Sequence, residues 1–113
     1  MSAAEDAKVA ATEALFREVN EAVAERAEAF GADEAEFVCE CADPTCTHRI
    51  STSLEAYEEV RSRGDQFLVA KGHEAPRDME RVVASDGTFR IVRKLRELGV
   101  IVRRLNPRPN EAQ

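Results

Sequence analysis

Between Ala3 and Phe30 apolar side chains return at helical spacing. Val9, Phe16, Val19, Val23, Ala27 and Phe30 share one stripe, with Thr12 its one polar member. Ala and Glu fill much of the remainder, and both favour helix. The pattern predicts a long N-terminal helix over 3–30, stopped by Gly31, with residues 1–10 the end expected to fray. The stripe is too short for a coiled-coil seam, so core packing is its expected use.

Beyond Gly31 the apolar runs shorten. Glu36-Phe37-Val38 predicts a short strand, and Arg49-Ile50-Ser51 a second extended piece. Thr52 or Ser53 caps a second helix, Thr52-x-x-Glu55 fitting a capping box. Leu54, Tyr57 and Val60 face inward, and Gly64 ends the helix. Phe67-Leu68-Val69-Ala70 is short and wholly apolar, as in a buried strand. The runs 79–84 and 88–94 flank Ser85-Asp86-Gly87, a hairpin signal. In the second run Phe89 and Ile91 are expected on the core side, and Arg90 and Val92 opposite. Residues 95–105 fit a strand by composition or a helix by the spacing of Leu98, Ile101 and Leu105. Residues 106–113 read as a tail. The sum is an α+β fold: a long N-terminal helix, a small antiparallel sheet, a second helix packed on it, and a loop still to be explained.

That loop holds every cysteine of the chain, in Cys39-Glu40-Cys41-Ala42-Asp43-Pro44-Thr45-Cys46-Thr47-His48. Residues two apart on a strand point the same way, so Cys39 and Cys41 share a side. Asp43-Pro44 is a turn signal and returns Cys46 toward them. Zn2+ accepts such a tetrahedron of thiolates and imidazoles. The fourth ligand is His48, or His73 in Lys71-Gly72-His73-Glu74, where glycine lets the backbone approach closely; His73 is the stronger candidate. Buried inert cysteines fit poorly, because the intervening residues are mostly polar. A structural disulfide framework fits poorly too: three is an odd number, and nothing marks the chain for secretion.

At 113 residues, with 5% aromatics, one domain over 1–113 with a modest core is expected, and a zinc-clamped loop would supplement it. Residues 1–76 carry 7 Lys+Arg and 17 Asp+Glu, net −10; residues 77–113 carry 9 and 5, net +4, which together make the overall −6. The basic last third suggests nucleic acid only weakly. The whole molecule is acidic, and those cations are better read as facing the acidic first part. No apolar run is long enough to span a membrane. An acidic N-terminus without an apolar core gives no signal peptide, so reduced cysteines and a cytoplasmic location are expected.

The segments Phe37 to Thr47, Tyr57-Glu58-Glu59-Val60-Arg61 and Gly72-His73-Glu74 resemble a family of small uncharacterised bacterial proteins, mostly actinobacterial. Its members share an F-V-C-E-C-x-D-x-x-C segment, an L-x-x-Y-E-x-V helix and a G-H-E triplet. The resemblance runs from Phe16 to Arg108. It implies a metal set of Cys39, Cys41, Cys46 and His73, since the family position matching His48 is usually not histidine. It also implies a helix over 95–105. It implies no activity.

Catalytic motifs are missing: no Gly-rich phosphate loop, no G-x-S-x-G, no H-E-x-x-H and no deaminase signature. Cys46 and His48 as nucleophile and base lack a third partner, and Glu74 beside His73 reads as a loop residue or a support for the ligand. Three thiolates and a neutral imidazole leave a zinc unit of net charge −1, a poor Lewis acid with no open position. The expectation is a non-catalytic protein with a structural Cys3His zinc site, serving as an interaction or regulatory module for a protein partner. The alternative is a redox-responsive zinc–thiolate switch, and a weaker one is nucleic-acid binding through the C-terminal arginines.

Overall fold

The computed structural model describes residues 3–108. The elements run α1 (Ala3–Ala29), β1 (Glu34–Val38), β2 (Arg49–Ser53), α2 (Leu54–Arg61), β3 (Gln66–Ala70), β4 (Glu80–Ser85), β5 (Phe89–Lys94) and α3 (Arg96–Arg104). The α+β class holds, but the strands form two antiparallel sheets rather than one: β1-β2, and β3-β5-β4. The chain leaving β1 joins them, because Glu40 N–H donates to the Leu68 carbonyl of β3 at 2.7 Å.

Local chemistry accounts for the boundaries. Gly31 (φ 73°) ends α1 in a Schellman arrangement, with Ala32 N–H on the Ala27 carbonyl and Gly31 N–H on that of Glu28. Ser53 caps α2 by accepting from Ala56 N–H at 3.0 Å, so the cap is Ser53 and not the Thr52 box. Asp86-Gly87 turns β4 into β5, and residues 96–104 are helical. Of the C-terminal segment, residues 109–113 lie outside those described. Arg108 does not trail: its guanidinium bridges Glu21 of α1 and Glu58 of α2, each at 2.8 Å.

The core face of α1 differs from the apolar stripe. Its buried residues are Ala10, Glu13, Arg17, Asn20 and Ala24, while Val19 and Phe30 are exposed. The inward face is turned by about one residue, or about 100°. The cause lies in partners that only the tertiary fold supplies. Arg17 donates to the carbonyls of Gly64 (2.7 Å) and Val102 (2.9 Å) and stacks on Phe67, its guanidinium carbon 4.8 Å from the ring centre. Asn20 holds both polar groups of the Val38 backbone, at 2.8 Å each. Lys94 of β5 lies buried between Glu13 and Glu80. On β5 the expected sides are partly exchanged as well. Val92 is fully buried opposite Phe67, while Ile91 is half-buried. Val92 and Phe67 lie on the sheet face that α1 reaches with Arg17 and Glu13.

Burial raises the Glu13 carboxyl to about 7, against the pull of Lys94; Glu80 and Glu40 push it the same way as burial. A raised acid stabilises the fold fully below its unfolded value near 4.5, and that contribution is lost as pH rises through 7. Glu13→Gln should therefore flatten the decline in stability between pH 5 and 8, a decline on the order of 2–3 kcal/mol. Urea titrations across that range check it.

Gly99 sits inside α3, where alanine would ordinarily gain about 1 kcal/mol. A Cβ there would lie 2.8 Å from the Lys94 carbonyl oxygen, a backbone atom. Gly99→Ala should instead destabilise by about 1–3 kcal/mol, as overpacking does, read as a lower denaturation midpoint.

Candidate metal centre

Two segments build the site. β1 carries the chain into Cys39, whose N–H donates to the His48 carbonyl at 3.1 Å and whose sulfur accepts from Ala70 N–H at 3.2 Å. The next residues make the turn that the Asp43-Pro44 pair signals. Asp43 accepts from the Thr45 N–H (2.9 Å) and hydroxyl (2.7 Å), and its carbonyl accepts from Cys46 N–H. These Thr45 bonds hold the Asp43 carboxyl below its ordinary range. β3 carries the chain into the second segment. Gly72 (φ 91°) permits a tight turn in which His73 N–H returns to the Ala70 carbonyl at 2.9 Å. Glu74 braces that turn by accepting from Gly72 N–H at 2.8 Å, with Arg90 nearby.

The result is a convergence of Cys39, Cys41, Cys46 and His73, with one ligand atom from each within 4.8 Å of all the others. His73 Nδ1 lies 3.7 Å from the Cys39 sulfur and 3.5 Å from that of Cys46. A tetrahedral ion bound at about 2.3 Å from sulfur and 2.0–2.1 Å from nitrogen spaces those atoms about 3.6 Å apart. These two nitrogen–sulfur separations match that spacing. His48 stays outside the four, its ring centre 5.1 Å from that of His73.

The electrostatics favour a bound cation. Burial raises the Cys39 and Cys41 thiols above their ordinary value, and neighbouring cysteines add to it for Cys39. Clustered thiolates are costly without a positive charge among them, and a metal supplies it while displacing the protons.

Glu40, between two of the ligands, was not singled out by its sequence position, yet it is fully buried. Its carboxylate accepts from Arg61 (2.7 Å), Leu68 N–H (2.8 Å) and Asn20 (2.8 Å). Arg61 also reaches the Gln66 carbonyl at 3.0 Å and lies over the Tyr57 and Phe67 rings. Glu40 thus anchors the ligand segment to α1, α2 and β3 at once. The sequence hint was faint: an acid flanked by inward-facing cysteines needs a cation, and Arg61 lies at the end of the next helix. A cleft of about 490 Å³ borders Cys41 and His73, with Glu13, Glu80 and Met79 also in its wall.

The chain has no match. Neither protein-family models, nor curated proteins, nor solved structures give one. Four converging ligand atoms and the spacing of three of them therefore carry the functional reading. Among the described residues, no helix is long and apolar enough to cross a membrane.

Proposed function

We propose that the protein is a non-catalytic zinc protein in which Cys39, Cys41, Cys46 and His73 hold one structural ion. The observation that carries the reading is the convergence of these four ligand atoms. Three thiolates with one imidazole suit Zn2+ among the common divalent ions, since calcium and magnesium prefer oxygen. Four protein ligands close the coordination sphere, so the neighbouring cleft meets no free metal position. We further propose that the chain belongs to the bacterial family with the F-V-C-E-C and G-H-E segments, a resemblance that implies the same four ligands.

The protein's role is that of an interaction or regulatory module with a protein partner. Leu15 and Val19, one turn apart on α1, are 58% and 41% exposed, and Phe30 just beyond its end is 84% exposed, which supports docking more than nucleic-acid contact. Four cations of the basic third, Arg90, Lys94, Arg103 and Arg108, meet acids of the first part. A second reading, a redox-responsive switch, draws on Cys46, the least buried of the three thiols.

Metal analysis of purified variants tests the site. Wild type and His48→Ala should carry one zinc per chain, and Cys39→Ser, Cys41→Ser and Cys46→Ser should lose it. Loss in His48→Ala with full retention in His73→Ala would overturn the assignment of His73.

A further inference from the structure

His48 is excluded from the four ligands, yet its position is not incidental. The β1–β2 ladder pairs Val38 with Arg49, and the Cys39 N–H bond to the His48 carbonyl extends it by one pair. His48 therefore stands directly opposite Cys39. Residues opposed across an antiparallel ladder project to the same face, with Cβ atoms about 4.5–5.5 Å apart. Cys39 sends its sulfur into the metal cluster, so the same face of the ladder delivers the His48 imidazole to the cluster's edge. Its ring centre lies 5.1 Å from that of His73, tilted by 59°. His48 is exposed and Cys46 is half-buried, whereas Cys39 and Cys41 are buried. The open side of the site is thus the side where His48 stands.

We propose that His48 is a second imidazole for the same ion, entering as His73 leaves and setting the rate at which the metal exchanges. This rests on the metal centre proposed above. The exchange replaces a neutral imidazole by a neutral imidazole, so the ligand charge does not change. Zinc tolerates a fifth ligand in passing, which lets the incoming ring bind before the outgoing one departs. His73 keeps the resting position because its turn, closed by Gly72 and the Ala70 carbonyl, points Nδ1 between two sulfurs. The site is then tight at rest and labile to a competing acceptor.

The test measures zinc affinity by competition, and the rate of zinc transfer to the chromogenic chelator 4-(2-pyridylazo)resorcinol. His48→Ala should keep its affinity within about threefold while transfer slows on the order of tenfold, because its role is in exchange. His73→Ala should still bind one zinc, weakened on the order of 10–100-fold, and His48→Ala in that background should remove a further factor of about ten. Transfer from His48→Ala as fast as from wild type overturns the proposal. So does equal affinity of His73→Ala and the double variant. The His48→Ala kinetics are read on a chain with all four ligands intact, so they decide even if the His73 variants do not fold. A wild-type chain that takes up no zinc overturns the metal centre itself, and this inference with it.

Discussion

Stripping the metal should lower the melting temperature by about 10–20 °C, corresponding to a few kcal/mol for a chain of this size. Structural zinc in isolated finger peptides supplies about 10–16 kcal/mol coupled to folding. Only part of that is expected as stability here, because Phe37, Tyr57, Val60, Phe67, Leu68 and Val92 also build a buried core. The loosening should also be local. Cys39 and Glu40 are held independently by the His48 and Leu68 carbonyls, and Ala70 N–H meets the Cys39 sulfur. The segments that depend on the ion are 41–47 and 71–75. Hydrogen exchange should accelerate there first, while α1 keeps its helicity. Acid should act in the same direction, since protons compete for three thiolates and an imidazole. An unchanged melting point and unchanged exchange in both segments after chelation would remove the structural role.

Glu40→Gln should be the most damaging conservative substitution away from the ligands. It leaves the Arg61 guanidinium, 1% exposed, without its counter-charge. Breaking one side of a buried pair costs about 3–5 kcal/mol. Replacing both partners, Glu40→Gln with Arg61→Met, should recover much of that loss, because no ionised group then stays buried alone. Zinc affinity should fall in the single variant, since Glu40 positions the backbone between Cys39 and Cys41. Equilibrium denaturation and competition with a chelator measure the two effects separately. A single variant as stable as wild type would show that the carboxylate does not hold the segment.

Glu40 also marks where sequence reading stops. The convergence of the cysteines was legible because its cause is local: a C-x-C pair, an Asp-Pro turn and a short return. The strands, the second helix and the hairpin were legible for the same reason. The inward face of α1 was not. An apolar stripe locates a buried face only when the buried residues are apolar, and Glu13, Arg17 and Asn20 are buried with partners 18 to 85 residues away. Val92 is buried against expectation because α1 reaches its face of the sheet with Arg17 and Glu13, which the strand's own alternation does not record. The division into two sheets was equally invisible, since it depends on which strands pair, and so was the Glu40–Leu68 backbone bond that joins them across the fold.

Asn20 has a consequence for how copies of the chain meet one another. Its carboxamide gives Val38 both an acceptor and a donor, as a neighbouring strand does. The margin of β1 that β2 does not cover is therefore already occupied at its last residue. A second molecule cannot extend the ladder there without first displacing a side chain of its host's longest helix. None of the four candidate ligand atoms takes part in that contact, so a molecule stripped of the proposed ion should still resist strand-by-strand polymerisation at the point where its cysteine loop has come undone.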